Sequence, residues 1–328
     1  MTSPHNPRLS LAKKSAVIDS THDEDFPKKS RHAVLAELKN VTKTYGTTTV
    51  VDDVSLQVLD GRTTMLVGPN GSGKTTSMEI LVGLRRPSSG TAVILGEKVV
   101  PAGKHRLVTG VQLQQSGLPG RIKVKEVLGS AASLFEEPDD IWELAGSLGL
   151  QAHWNKAVDK LSGGLKRRVD IAAACVGRPR FLLLDEPTSG IDPEGRAELW
   201  EFLRSRARAG CGILASTHDL EEAEAFADQL YVMGQGHILL QGTPQEVLGS
   251  AGGEWRLRVN DASPAQTQII EKSGFEFGRI GITSLVIGPT EGLEHLRREL
   301  VDADSGTEIR SGRIRLEDVF AVTSWREK

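Results

Sequence analysis

The chain lacks any apolar run near the roughly 18–20 residues needed to cross a bilayer, so it cannot by itself conduct anything across a membrane. It carries little net charge, −3 over 328 residues, and no global field therefore favours nucleic acid. It has only two cysteines, Cys175 and Cys211. Cys175 lies in the apolar run Ile171–Val176 and is expected in the core. Such cysteine usage is compatible with a reducing cytosol without demanding one. A signal-peptide pattern is missing as well, because the first thirty residues are polar with charges throughout. What remains is a composition ordinary for a soluble globular protein, and a length that allows one large domain and a smaller one.

What the chain does have is Gly68-Pro69-Asn70-Gly71-Ser72-Gly73-Lys74-Thr75-Thr76, which fits the phosphate-binding pattern G-x-x-x-x-G-K-[ST]. Thr63–Val67 before it reads as a buried strand. Met78, Ile80, Leu81 and Leu84 after it recur at helical spacing until Pro87–Gly90 breaks the pattern. In that context the glycines let successive N–H groups point inward at phosphate oxygens, and the helix beginning near Gly73 adds the positive end of its dipole. Lys74 supplies a charge for the β- and γ-phosphates, and the Thr75 hydroxyl can ligate Mg²⁺.

Taken in order, residues 1–32 read as a disordered tail whose lysine pairs, Lys13-Lys14 and Lys28-Lys29, are solvated charge or a membrane-surface contact. Short strands are expected at 33–38, 41–46 and 54–58. Tyr45 could stack on an adenine ring or simply fill a sheet edge. A strand follows at 91–96, and another over 109–115 that sets Val111 and Leu113 on one face with polar residues opposite. Gln114 at its end could ligate Mg²⁺ or position water, or be a plain surface group. Helices are expected from Val124 and Ile141, separated by Pro138. Ser162 can cap a helix running to Gly177, and Gly163 and Gly164 in its first turn leave bare N–H groups, which makes either a second anion site or an ordinary capped helix.

Phe181–Leu184 is the continuous apolar run of a fully buried parallel strand, ending in Asp185 and Glu186. Ligands of open α/β sheets bind outside the carboxyl ends of the strands, which puts Asp185 in reach of Mg²⁺ and Glu186 in reach of an attacking water. Ser189–Pro193 is a turn into another helix. His218 ends the strand Gly212–Thr217, a position better suited to catalysis than that of any other histidine here. Beyond a glycine-rich linker at 249–253, Trp255–Val259 alternates as an exposed-face strand. A helix from Ser263, a strand at 284–287, a helix over Glu291–Leu300 and a strand near 308–314 then suggest a small α+β unit.

Together and in this order, these pieces resemble the ATP-binding subunit of an ABC transporter, over about residues 33–250. The resemblance makes Gly68–Thr75 the Walker A motif, Leu161–Gly164 the ABC signature, and Leu182–Asp185 with Glu186 the Walker B motif and catalytic glutamate. It makes Ser189–Asp192 the D-loop, His218 the switch histidine, Gln114 the Q-loop glutamine and Tyr45 the A-loop aromatic. It implies an α/β P-loop NTPase core with a β-rich N-terminal subdomain and a helical subdomain. The implied division is a tail at 1–32, an ATP-binding domain at 33–250 and a small C-terminal α+β accessory domain at 251–328. It further implies ATP and Mg²⁺ as cofactors, with Thr75, Gln114 and Asp185 at the metal. Glu186 would be the general base, and Lys74 and His218 would act at the γ-phosphate. Two subunits, a homodimer by the intactness of the motifs, would sandwich ATP, with Ser162, Gly163 and Gly164 reaching the γ-phosphate in trans and Asp192 coupling the two sites. The implied partner is a membrane permease docking around Gln114–Lys125, and the implied location is the cytoplasmic face of the membrane. Leu316–Phe320 is similar to the tail of ABC-2-type exporter ATPases, which move drug-, antibiotic-, lipid- or polysaccharide-like cargo. A non-transport ABC ATPase acting on ribosomes or DNA is the alternative. A P-loop kinase conflicts with the signature at Leu161.

Overall fold

The computed structural model describes residues 32–115 and 117–326, so the tail reading at the N-terminus falls almost wholly outside the described residues. The chain opens with β1 (Val34–Tyr45) and β2 (Thr48–Leu59), an antiparallel pair. Strict alternation in β2 buries Val54, Leu56 and Val58 and exposes Ser55 and Gln57, the mark of a one-faced sheet. The two short strands expected at 33–46 are one strand with a bulge. Asn40 has φ 47°, its amide bonds Ser55 Oγ and its side chain Asp53, and the register shifts there.

Then come β3 (Thr63–Val67), α1 (Lys74–Leu81), β4 (Ser89–Ile94), β5 (Glu97–Lys98) and β6 (Thr109–Gln112). The helical part holds α2 (Val124–Ala132), α3 (Ile141–Ser147) and α4 (Gly163–Cys175). The chain re-enters the sheet through β7 (Phe181–Asp185), α5 (Pro193–Arg208), β8 (Gly212–Thr217), α6 (Leu220–Phe226), β9 (Gln229–Gly234), β10 (His237–Gly242) and α7 (Pro244–Gly249). The main sheet has the order β10-β9-β3-β8-β7-β6, parallel except for β10. A smaller sheet, β2-β1-β4-β5, lies on one of its faces. Met65, Val67, Leu182, Leu184 and Ile213 pack with α4 and α5, while Leu66, Phe181, Leu183 and Leu214 pack with α1 and the smaller sheet. Both faces of the parallel strands are thus covered, which is why β3, β7 and β8 are buried end to end.

One expectation needs correction at β6. It stops at Gln112, which is buried, whereas Val111 and Leu113 are only half-buried. The polar face turns inward because Gln112 Nε2 donates to the carbonyls of Leu113 and, at 3.2 Å, Asp185.

Cys175 and Cys211 are both buried beside the C-terminal ends of α4 and α5. Burial pushes both thiols up to about 12, against an opposing pull from Arg206. Iodoacetamide at pH 8 should leave both unmodified in the folded protein and modify both in urea, as read by intact mass. Rapid labelling without denaturant would contradict that environment.

The last stretch is β11 (Trp255–Asn260), α8 (Pro264–Lys272), β12 (Glu276–Ile280), β13 (Thr283–Gly288), α9 (Thr290–Ala303), β14 (Ile309–Arg313) and α10 (Leu316–Arg326). Its sheet is antiparallel, in the order β12-β13-β11-β14. Leu257, Val259 and Val286 face α8 and α9. On the other face Leu285 and Ile287 share one core with Leu316, Val319 and Val322 of α10. The arginines of β11 are therefore not an exposed face: Arg256 and Arg258 turn to Glu317 and Asp318 of α10. Nor is 249–253 a loose spacer, since Ala251 is buried and a Cβ on Gly253 would lie 2.5 Å from Gly288 Cα.

Candidate functional site

The parallel strands end in step. Val67 pairs with Thr217, Asp185 with Ser216, and Gln112 with Leu184. Everything that follows β3, β6, β7 and β8 therefore meets along one edge of the sheet, the ligand side of an open α/β fold. A cleft of about 250 Å³ lies there, lined by Val50, Asn70, Gly71, Gly73–Thr76, Gln114 and Glu186.

Gly73 holds the left-handed φ of 101° that starts α1, and a Cβ there would sit 2.6 Å from the Val50 carbonyl, so only glycine fits. Lys74 is buried and donates to the carbonyls of Gly68 (2.8 Å) and Pro69 (3.0 Å), which occupies two of its three N–H bonds. Burial lowers its pKa, and the nearby Glu186 and Asp185 oppose that shift. An anion in the cleft would oppose it further.

Across the cleft, Thr75 Oγ1 donates to Asp185 Oδ2 at 3.0 Å. A hydroxyl and a carboxylate this close are hard oxygen donors that fit Mg²⁺. Ser216 Oγ donates to the other carboxylate oxygen, Oδ1, and accepts the Glu186 amide at 3.0 Å. Glu186 itself has φ 49°, a conformation that costs a non-glycine residue about 1 kcal/mol or more. The turn carries its side chain out of the strand direction and into the cleft. His218 Nδ1 lies 3.1 Å from Glu186 Oε1. A carboxyl oxygen opposite favours the tautomer with its proton on Nδ1.

Gln114 lines the cleft, with its backbone fastened from the helical part: Arg167 of α4 donates to the carbonyls of Leu113 and Gln114, both at 3.0 Å. Tyr45 is not among the lining residues. Its ring stands at the hairpin end, faced by Lys43 Nζ at 4.9 Å and the Arg85 guanidinium at 5.5 Å. Ser162 caps α4 through the Leu165 amide at 3.3 Å. It lies outside the cleft with Gly163 and Gly164, and nothing stands within 4 Å of a Cβ on Gly163. Gly164 adjoins Gly190 and Ile191, and Asp192 caps α5 through the Gly195 amide at 2.9 Å. That bond holds the Asp192 carboxyl below its usual pKa. The first-turn glycines of α4 and the phosphate loop are thus two separate places on one chain.

Sequence reading missed Ser216, Arg167 and Gln112, which brace Asp185, Glu186 and Gln114. The only signal was two hydroxyls before His218 at a strand end. A larger cavity of about 490 Å³ lies elsewhere, with Arg178 and Arg206 on its wall, both bound to Asp139. Those cations sit near the C-terminal ends of α4 and α5, where they suit the helix dipoles.

Known proteins and solved structures resemble this chain over much of its length. The family model described as ABC transporter matches residues 51–189. A protein of Cupriavidus metallidurans, "Nod factor export ATP-binding protein I", is 37% identical over 228 residues, covering 67% of this chain and 74% of the relative. "Doxorubicin resistance ATP-binding protein DrrA" of Mycobacterium tuberculosis is 38% identical over 225 residues, covering 66% of this chain and 67% of the relative. Among solved structures, the ATP-binding subunit of an ABC transporter superposes with a TM-score of 0.61 at 27% identity, covering 66% of this chain and 92% of that one. Phosphate loop, paired carboxylates and strand-end histidine stand together on a fold shared with such subunits, and the chain belongs to the ABC transporter family as an ATP-binding, ATP-hydrolysing protein.

Proposed function

We propose that this chain is the motor subunit of an ABC-2-type membrane exporter, pairing with a second copy around ATP and driving a separate permease from the cytoplasmic face. The observation that carries the reading is the separation, on one chain, of the phosphate loop from the glycine-rich first turn of α4. Lys74, Thr75, Asp185, Glu186 and His218 line one edge of the sheet, while Ser162, Gly163 and Gly164 lie outside that cleft with open space before Gly163. A second copy could supply the missing wall, with Asp192 and its neighbours, beside Gly164, at the join. The names of relatives, export of Nod factor and resistance to doxorubicin, support export. No helix among the described residues is long and apolar enough to cross a membrane, which leaves translocation to another chain.

In this reading the inward N–H groups of residues 68–76 and the Lys74 ammonium hold the β- and γ-phosphates. Thr75, Asp185 and Gln114 would hold Mg²⁺, which when bound neutralises charge on the phosphates. Glu186 takes the proton of the attacking water. His218 holds Glu186 through Nδ1 and presents Nε2 to the γ-phosphate. Tyr45 offers its face to adenine from the hairpin end. Residues 251–328 form the accessory unit. The permease would dock around Gln114–Lys125, next to a hollow of about 350 Å³ lined by Val82, Leu84, His105, Arg106, Val111 and Leu113, with Leu84 54% exposed.

One experiment tests both partners. Tagged and untagged Glu186→Gln chains are expressed together in the native host, supplied with ATP and recovered from membranes in mild detergent. The tagged chain should bring down its untagged copy and a polytopic membrane protein in stoichiometric amounts. Absence of the untagged copy would refute the homodimer. A soluble dimer, or one carrying ribosomes or DNA, would refute the transporter reading.

A further inference from the structure

We infer that Glu222 and Thr217 are positioning residues for hydrolysis, forming a buried relay that sets the backbone carrying His218. The inference rests on the reading that His218 acts at the γ-phosphate. The His218 side chain is 60% exposed, and its one polar contact among the described residues is Glu186. A ring so poorly held from outside takes its direction from the main chain beneath it.

That main chain is held by an unusual arrangement. Glu222 is only 4% exposed, and both its carboxylate oxygens are engaged. Oε1 accepts the indole N–H of Trp200 at 2.7 Å and Oε2 accepts the Thr217 hydroxyl at 2.6 Å. The Thr217 oxygen in turn accepts the Asp219 amide at 3.0 Å. A hydroxyl has one proton to give, so the carboxylate fixes which way it points and leaves its lone pairs to the amide. The two residues flanking His218 are thereby tied to each other and to the core. The same segment is anchored again from α5, where Arg196 bonds Asp219 at 2.7 Å, and by the Glu222 amide on Asp219 Oδ1 at 3.1 Å.

The geometry has a parallel one residue earlier. Ser216 ties the opposite face of β8 to Asp185 and Glu186, while Thr217 ties its own face to Glu222. Alternation along a strand sends adjacent side chains to opposite faces, so one strand end braces the carboxylates on one side and the histidine on the other. A buried carboxyl group is costly unless it is hydrogen-bonded, and each oxygen of Glu222 has a donor. An apolar pair would fill the space but would leave the Asp219 amide and the His218 backbone unbraced.

Steady-state ATP hydrolysis by the full chain tests the role, using Thr217→Val, Trp200→Phe, His218→Ala and the double variant of Thr217 and His218. Glu222→Ala is avoided because it orphans two donors at once. Thr217→Val removes a hydrogen bond to the carboxylate and one from the Asp219 amide, and Trp200→Phe removes a hydrogen bond and leaves a cavity in the core, so both should lower Tm. Only Thr217→Val should lower kcat, by about tenfold to a hundredfold with KM for ATP little changed, as small misplacements of a reacting group do. Trp200→Phe should keep kcat near the parent value, because the Thr217 hydroxyl still bonds Glu222 and still accepts the Asp219 amide. On the His218→Ala background, Thr217→Val should cost nothing further, because residues acting through one another are not additive. Equal kcat losses in the two single variants would reduce the relay to stability alone. The same holds for a full Thr217→Val effect without His218. A slow His218→Ala beside a Thr217→Val at the parent rate would overturn only the positioning role. His218→Ala at the parent rate would overturn the assignment of His218 and the relay with it.

Discussion

Glu186→Gln should bind ATP as the parent does and hydrolyse it about 10²–10⁴ times more slowly, the usual contribution of a positioned general base. That factor corresponds to about 3–5 kcal/mol of transition-state stabilisation. The expectation is sharp because glutamine keeps everything but the basicity. It has the same length and the same tolerance of the φ of 49°. Its amide oxygen can still accept from His218 Nδ1, now 3.1 Å from Oε1, and its backbone N–H can still donate to Ser216 Oγ. Neither Lys74 nor Thr75 depends on the Glu186 side chain for its hydrogen bonds. Single-turnover hydrolysis and equilibrium binding of a labelled nucleotide separate the two quantities. Hydrolysis at the parent rate with unchanged affinity would move the base elsewhere. Weakened affinity would instead mean that the carboxylate supports the nucleotide rather than the water.

The second large effect lies in the C-terminal sheet and the helix that covers it. Asp318→Ala should destabilise the protein by about 3 kcal/mol, the lower end of what breaking a buried ion pair costs. Asp318 is fully buried, and it accepts from Arg256, from Arg258 at 2.8 Å and from the Arg315 amide at 2.9 Å. Removing it leaves two guanidinium groups side by side under α10 with only Glu317 between them. The lower end applies because side chains of Arg256 and Arg258 are 15% and 30% exposed and can partly hydrate. Glu317 touches the same two arginines but is itself 40% exposed, so Glu317→Ala should cost less than about 1 kcal/mol. Urea denaturation of both variants gives the comparison. Equal losses, or an Asp318→Ala loss below about 1 kcal/mol, would mean that apolar burial of Leu316, Val319 and Val322 alone holds α10 in place.

The Asp318 cluster also shows where reading a sequence stops. The alternation Trp255-Arg256-Leu257-Arg258-Val259 correctly locates β11 and the apolar face at Leu257 and Val259. It says nothing about what lies over the arginines. Periodicity reports which side of a strand is apolar, and a polar side reads as solvent until some later element covers it. Here the cover comes some 60 residues on, and the acids that match the arginines look like an ordinary first turn of α10. Gln112 and Gln114 show the same limit at short range. The sequence singled out Gln114 and passed over Gln112, yet Gln112 supports Asp185 from inside while Gln114 lines the cleft, because β6 ends between them.

The sequence by itself determined the elements whose chemistry is contiguous. The phosphate loop needs its glycines and Lys74 in one run. The buried strand needs its apolar residues next to Asp185 and Glu186. The α4 cap needs Ser162 at the helix start. Each is a local rule of backbone conformation or burial, legible without knowing the neighbours. Only the tertiary structure decided which of these meet. The parallel register brings Thr75 to Asp185 and Glu186 to His218, and it leaves the first turn of α4 outside their cleft. It alone brought the Trp200 indole to Glu222, because a donor from another helix reaches a buried carboxyl only through the way strands and helices stack.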